Sequence, residues 1–264
     1  MLNTQGIFVG AVHLRIDGPI ATVTFDRPES RNAMTWPMYE QLEAICRKLY
    51  EDETVRAVRF QGAGDQAFVA GTDIPQFQAF KTGEHGVAYE KRIDAVVELV
   101  EMLPMPTLAV VQGAAAGGGF ALATACDFRI ATPGSRFGVP IARTLGNCLS
   151  IANYARLVAG LGASRAKRVL LLAENLSAEE ALAGGFISEI VAAADLDQRV
   201  AELSARLAHH APLTMRVSKE AIRRILHAGL PDGDDLVRAC YGSEDFRIGV
   251  KAFVEKREPA WTGS

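Results

Sequence analysis

The first half of the chain alternates apolar and polar residues in short stretches, a pattern typical of β-strands with one buried face. The stretch VHLRIDGPIATVTFDRP alternates on both sides of Gly18–Pro19, which predicts a β-hairpin. In TWPMYEQLEAICRKLYED, apolar residues recur along one helical face from Met38 to Leu49, which predicts a helix. A polar segment, FKTGEHG, is expected to be mobile and to precede a helix over roughly residues 88–102. Further strands are predicted at VRAVRFQG, QAFVAG, PTLAVVQG and DFRIA.

From about residue 164 onward the pattern becomes helical, with short links between the helices. Helices are predicted at SRAKRVLLLAE, SAEEALAGG, LDQRVAELSARLAHH, LTMRVSKEAIRRILHAG and SEDFRIGVKAFVEKREP. A β-rich half followed by helices indicates an α/β fold with a helical appendage.

The composition is that of an ordinary soluble globular protein, with 49% apolar and 22% charged residues in a chain of 264. The net charge of -3 argues against nucleic-acid binding, which would require a basic excess. No apolar run approaches the length of a membrane span, and the N-terminus lacks the pattern of a signal peptide. We therefore expect a cytoplasmic protein without a membrane partner.

The four cysteines, Cys46, Cys126, Cys148 and Cys240, have neither zinc-ligand spacing nor the density of a disulfide framework. Reduced thiols are expected, in keeping with a cytoplasmic location. The histidines are scattered apart from one adjacent pair, so no metal site is predicted.

The stretch TLAVVQGAAAGGGFALATACD places a glycine-rich turn between a predicted strand and a predicted helix. Such a turn usually receives a phosphate, a dinucleotide or a developing oxyanion. The first helical residues carry no acid, base or nucleophile, so the backbone of this turn must provide its function. A nicotinamide site is disfavoured, because the turn begins late, at Gly113, and the chain has no Tyr-x-x-x-Lys motif.

The segments GAGDQAFVAGTDI and PTLAVVQGAAAGGGFALATACDFRIA together resemble the crotonase (enoyl-CoA hydratase/isomerase) superfamily. The resemblance extends to VTFDRPESRNAM, SAEEALAGGFISEIV and EDFRIGVKAFVEKREPAW, in the order that the family shows. It implies an α/β spiral of ββα units over residues 1–198 and a C-terminal helical trimerisation region over residues 199–264. It also implies acyl-CoA thioester substrates, no cofactor other than the coenzyme A of the substrate, and a homotrimer or a hexamer.

In this family two backbone amides hold the thioester oxygen, and the motif positions correspond to Thr72 and Gly118. Two preorganised donors, with the positive end of the following helix, would stabilise an enolate or oxyanion. Glycine suits this turn because a Cβ would obstruct the approach of the backbone to a ligand.

Both glutamates that family hydratases usually carry are absent, since their positions hold Ala121 and Ile141. General acid–base groups contribute about 10²–10⁴-fold each, so efficient hydration is not expected. The resemblance leaves an acyl-CoA decarboxylase or isomerase with relocated catalytic groups, or a non-catalytic acyl-CoA-binding subunit, as alternatives.

The segment FGVPIARTLGNCLS departs from the family pattern, and this divergent loop offers replacement catalytic groups. In it Arg143 would suit a substrate carboxylate and Cys148 a nucleophile, with Asn147 between them. A cysteine at such a position is more often a small buried packing residue than a nucleophile. The helix after the polar segment offers further candidates: Glu90, Arg92 and Glu98. Helical spacing alone does not show whether their side chains reach the acyl pocket.

Cations should contact the phosphates of coenzyme A even in an acidic protein. Arg27 and Arg31 in RPESRNAM suit this role, and the resemblance places Arg31 at a family ligand-contact position and matches Lys256 to a family lysine near the nucleotide. Two lysines common in hydratases are replaced by Gln66 and Pro75. Asp73 is expected to cap the helix that follows it rather than to act as a base. The other substrate-binding positions are Ala33, Ala70, Asp73, Ile74 and Gly117.

Overall fold

A computed structural model describes residues 10–264. Ten β-strands form a six-stranded sheet, in the order β1-β2-β3-β5-β7-β10, and a four-stranded sheet, in the order β4-β6-β8-β9. The strands are β1 (Ala11–Asp17), β2 (Ile20–Asp26), β3 (Ala57–Gly62), β4 (Ala67–Val69), β5 (Thr107–Val111), β6 (Ala114–Ala116), β7 (Phe128–Ala131), β8 (Arg136–Gly138), β9 (Leu176–Ser177) and β10 (Glu189–Ile190).

Successive strands from β3 to β8 alternate between the two sheets, so the chain winds as a spiral of strand pairs. Neighbouring strands from β2 to β10 in the larger sheet are parallel, whereas β1 joins antiparallel to β2 as the predicted hairpin. All five residues of β5 are buried, as expected for a central parallel strand covered on both faces. The expected α/β spiral is confirmed.

Helices cover the sheets and follow the strand pairs along the chain. They are α1 (Trp36–Glu51), α2 (Gly83–Glu101), α3 (Gly118–Ala125), α4 (Ile141–Thr144), α5 (Ile151–Leu171), α6 (Ala178–Ala183), α7 (Leu196–His209), α8 (Pro212–His227), α9 (Asp234–Tyr241) and α10 (Glu244–Val254). No helix between residues 10 and 264 combines the length and the apolar run that a bilayer crossing requires.

A small second core lies on the outer face of the larger sheet, where α7 packs against it. Val200 and Leu203 of α7 join Leu108, Val110 and Ile130 of the sheet in this core. The expected boundary between residues 198 and 199 falls inside α7, the helix that covers this face.

The structure corrects the start of one predicted helix. The helix predicted from residue 88 begins at Gly83, because Thr82 and His85 form a reciprocal capping box inside the segment that was expected to be mobile. α5 is interrupted at Gly162, whose backbone is not helical (φ 74°, ψ 154°), so the helix predicted from residue 164 matches its second part. The first part, which the sequence pattern does not predict, begins at Ile151, where the Ser150 hydroxyl accepts a hydrogen bond from the amide of Asn153. The sequence pattern does not predict α9, the short helix that packs against α2.

Candidate active site

A cavity of about 680 Å³ lies where the loops after β2 and β4 meet the start of α3. The side of α2, the α4 segment and the end of α10 complete its wall. Both segments that carry the predicted amide donors therefore border one cavity.

Thr72 and Gly118 lie close together in this wall. A Cβ on Gly118 would lie 3.4 Å from Thr72 Oγ1. The residues beside Thr72 bond to Met34, whose amide donates to Gly71 O at 2.8 Å and whose carbonyl accepts from Asp73 N at 2.9 Å. Among residues 10–264, neither the Thr72 amide nor the Gly118 amide has a protein acceptor.

The glycines of this turn have different roles. Gly117 has φ 51° and ψ −120°, a conformation that side chains disfavour, and it turns the chain into α3. Gly119 allows close packing, since a Cβ there would lie 2.0 Å from Val69 O. Gly113 packs in the same way, because its Cβ would lie 2.0 Å from Gln66 O.

The Thr72 side chain is fixed by two tyrosines. Its Oγ1 lies 2.8 Å from the Tyr39 hydroxyl and 2.8 Å from the Tyr89 hydroxyl, and all three groups are buried. Burial raises the pKa of both tyrosines above the ordinary value, so they remain neutral donors and acceptors. The hydroxyl of Thr72 is thus used within the protein, and its amide stays available.

Ala121 and Ile141 both line the cavity and are only 7% and 8% exposed. These two positions therefore present apolar groups to the cavity.

Glu90 also lines the cavity, although it is only 4% exposed. Its Oε1 accepts a hydrogen bond of 2.6 Å from the Tyr241 hydroxyl, and its Oε2 accepts one of 3.0 Å from the Ser150 amide. Burial raises the pKa of the Glu90 carboxyl to about 8, and the nearby Asp94 contributes in the same direction. The bonds from Tyr241 and Ser150 oppose this increase in pKa. Glu90 is thus a carboxyl that changes protonation near neutral pH.

The three catalytic candidates of the divergent loop are placed differently. Asn147 lines the cavity, and its Nδ2 donates to the Tyr241 hydroxyl at 3.1 Å. Cys148 lies outside the lining, and the neighbouring Cys240 and burial together raise the pKa of its thiol. Arg143 is exposed and is likewise not part of the lining. Only Asn147 of this group reaches the cavity.

Of the α2 candidates, only Glu90 lines the cavity. Arg92 pairs at the surface with Glu40 at 2.7 Å, and Glu98 lies 3.7 Å from Arg223. The face of α2 that carries Glu90 also carries Tyr89 and Ile93, and all three border the cavity.

Most predicted substrate-binding residues border the cavity: Arg31, Ala33, Ala70, Asp73, Ile74, Gly117 and Lys256. Arg31 and Lys256 both have left-handed backbone, with φ of 52° and 54°. Left-handed backbone is uncommon for residues other than glycine and occurs more often at ligand sites. Their contact with coenzyme A stays a prediction.

Arg27 is not part of the lining, because its Nη1 donates to Asp73 Oδ1 at 3.0 Å. The expectation that Asp73 caps the next helix is wrong. Asp73 occupies the N-cap position of the 3₁₀-helix Ile74–Ala79, but its carboxylate pairs with Arg27 and makes no capping bond.

Comparison with known proteins identifies the family. The family model described as enoyl-CoA hydratase/isomerase matches residues 15–264. A short-chain-enoyl-CoA hydratase of Clostridium acetobutylicum is 32% identical over 94% of this chain and 95% of its own length. The crystal structure of an enoyl-CoA hydratase/carnithine racemase from Magnetospirillum magneticum is 30% identical, covers 99% of this chain and 100% of its own, and has a TM-score of 0.79.

A methylmalonyl-CoA decarboxylase in complex with 2-nitronate-propionyl-CoA has a TM-score of 0.88, with 96% of this chain and 99% of its own covered. Its sequence is 24% identical, so this similarity concerns the fold alone. Because the family model spans nearly all described residues and the hydratase relative covers both chains almost completely, this chain belongs to the enoyl-CoA hydratase/isomerase family.

Proposed function

We propose that this protein processes acyl-CoA thioesters by forming an enolate whose oxygen is held between the amides of Thr72 and Gly118. One observation carries the proposal: two amides without a protein acceptor among residues 10–264 border the same cavity, in segments that contact each other. Thr72 is buried and Gly118 is partly buried, and a ligand oxygen in the cavity would satisfy both amides.

The electrostatics of the turn favour negative charge on that oxygen. Gly118 is the first residue of α3, so the positive end of the helix dipole lies at the same place. Removing one donor of an oxyanion hole typically costs about 3 kcal/mol of transition-state stabilisation. The backbone therefore supplies much of the catalysis without any charged side chain.

Efficient hydration of enoyl-CoA is not part of the proposal. Ala121 and Ile141 offer no acid or base to activate a water molecule, although both line the cavity. We expect crotonyl-CoA hydration to be slower by at least about 100-fold than that of a two-glutamate hydratase. A comparable rate would contradict this part of the proposal.

The enolate can be tested without knowing the natural acyl group, by following exchange of the protons next to the carbonyl of butyryl-CoA in D₂O. Gly118→Pro removes the amide hydrogen, and proline is tolerated at the first position of a helix. Gly118→Ala is the matched control, because it keeps the hydrogen and adds the same Cβ, 2.9 Å from the Tyr39 hydroxyl.

We expect Gly118→Pro to slow exchange by about 100-fold or more relative to Gly118→Ala. Equal rates in the two variants would show that the amide does not act. If the unmodified protein binds butyryl-CoA, crotonyl-CoA and malonyl-CoA without exchange or turnover, the chain is an acyl-CoA-binding subunit and the proposal is wrong.

A further inference from the structure

Most titratable side chains that line the cavity are unsuited to proton transfer. Asp73 is paired with Arg27 at 3.0 Å, and Glu29 is 54% exposed. The Tyr89 hydroxyl is bonded to Thr72, and burial raises its pKa further. Of the carboxyls in the cavity wall that the structure describes, Glu90 alone is both buried and free of a cationic partner.

The hydrogen bonds around Glu90 have a fixed direction. Asn147 Nδ2 can only donate, so the Tyr241 hydroxyl accepts from it and directs its own hydrogen to Glu90 Oε1. The Ser150 amide can likewise only donate, to Oε2. Each carboxyl oxygen thus uses one lone pair on the protein and keeps another. Among residues 10–264 no further donor meets these remaining lone pairs.

We propose that Glu90 is the acid–base group of this cavity, and that it removes and returns a proton at the carbon next to the thioester carbonyl. The inference rests on the proposed function, because it assigns the group that forms the enolate. The C–H bond breaks and its proton moves to a carboxylate oxygen of Glu90. The electron pair of that bond shifts onto the carbonyl oxygen, which Thr72 and Gly118 hold, and the return step reverses these movements. No other reactant is required.

The surroundings of Glu90 favour this role. A pKa of about 8 lets the carboxyl exist in both forms near neutral pH, which suits a group that takes and gives protons. The titratable groups that interact electrostatically with Glu90 lie on α1, α2, α5 and α9 and in the loop before α5. They are Tyr39, Tyr89, Asp94, Cys148, Tyr154, Cys240 and Tyr241. None of these is a cation, so the carboxylate is not neutralised by a neighbour in this set.

The first test is Glu90→Gln, which keeps the shape of the side chain and removes its acidity. We expect proton exchange of butyryl-CoA in D₂O to fall by about 100-fold or more, with binding retained. Glu98→Gln makes the same chemical change on the exposed side of α2, outside the cavity lining, and exchange should be unchanged.

The pH dependence of proton exchange distinguishes a catalytic base from a carboxyl with only a structural role. Exchange should increase with pH through the pKa of Glu90, near 8, because the carboxylate is the base. Tyr241→Phe removes a bond that lowers this pKa, so the midpoint should move to higher pH. Asp94→Asn removes a negative charge that raises it, so the midpoint should move to lower pH. A carboxyl that merely joins helices would not shift the profile in opposite directions.

The outcomes distinguish the two proposals. If Glu90→Gln exchanges at the unmodified rate while Gly118→Pro does not exchange, the Glu90 assignment is wrong and the enolate proposal stands. If the unmodified protein shows no exchange, both are wrong. Should Glu90→Gln fail to fold, as seen by circular dichroism, the opposite shifts of Tyr241→Phe and Asp94→Asn decide the matter, and unshifted profiles would overturn the assignment.

Discussion

Glu90 couples the chemistry of the cavity to the stability of the fold. Its pKa rises from 4.5 to about 8 on folding, so the folded chain holds this proton more tightly than the unfolded chain. The protonated carboxyl therefore stabilises the fold fully below pH 4.5, and this contribution is lost as the pH rises towards 8. A residue suited to proton transfer thus weakens the fold at neutral and alkaline pH.

This coupling predicts a difference between the unmodified protein and Glu90→Gln. Between pH 5 and 8 the free energy of unfolding of the unmodified protein should fall relative to the variant, by at most about 1.4 kcal/mol per pH unit. Urea unfolding at several pH values measures the difference. A difference that does not change with pH would mean that the Glu90 pKa is ordinary.

The predicted contact of Lys256 with coenzyme A can be tested by removing its side chain. Lys256→Ala should weaken binding of coenzyme A several-fold, because it removes a cation from the cavity wall, and added salt should reduce the loss. Lys251→Ala is the control, since Lys251 borders a separate cavity of about 340 Å³ beside α10. Isothermal titration calorimetry at two salt concentrations would show the effect, and equal losses in both variants would contradict it.

The packing of α9 against α2 positions the Tyr241 hydroxyl next to Glu90, which residue spacing along a single helix does not predict. Gly86 of α2 packs directly on Tyr241 of α9, where a Cβ would lie 2.2 Å from Tyr241 Cγ. This close approach brings the Tyr241 hydroxyl to Glu90, one turn further along α2. The position of α9 against α2 therefore sets the hydrogen bond that lowers the Glu90 pKa.

Gly86→Ala should destabilise the protein by about 1–3 kcal/mol, because the added Cβ forces α9 away from α2. Alanine is the better helix former by about 1 kcal/mol, so helix propensity alone predicts the opposite sign. Ala88→Gly, at an exposed position of α2, measures that propensity term. Thermal unfolding of the unmodified protein, Gly86→Ala and Ala88→Gly shows whether the steric clash or the helix propensity dominates at position 86.

Local signals explain what the sequence predicted about these elements. The hairpin depends on Gly18–Pro19 and on alternation within a few residues, and it was predicted correctly. The start of α2 was missed because His85 serves as the capping partner of Thr82, where the usual signature has Glu or Gln. Motif positions placed Thr72 and Gly118 at one cavity, whereas the contact of Glu90 with Tyr241 depends on tertiary packing.

The surface of the whole molecule bears on assembly. None of the residues of α8 is buried, and five of its large apolar side chains are exposed: Leu213, Val217, Ile222, Ile225 and Leu226. In α10, by contrast, Val250 is buried within the chain, whereas Phe253 and Val254 at the end of the helix are exposed. An apolar helix face of this kind is typical of an interface between subunits.

We expect three or six copies of the 28.4-kDa chain to associate through the exposed face of α8. Ile225, 74% exposed in the single chain, should be buried in that assembly, so Ile225→Glu should shift the mass towards the monomer. Arg216→Glu lies on the opposite side of the helix by its spacing and should not. Light scattering after gel filtration measures both, and a monomeric unmodified protein would contradict the expectation.

The bond between Tyr241 and Glu90 joins residues that are 151 positions apart. During translation the amide pair, the apolar wall and the Glu90 carboxyl are synthesised long before α9. A chain that stops short of α9 therefore carries the groups proposed to hold the thioester oxygen, but its carboxyl lacks the hydroxyl that tunes its acidity. Without that bond the pKa of Glu90 would be higher still, so the carboxyl would stay protonated over a wider pH range until α9 is in place.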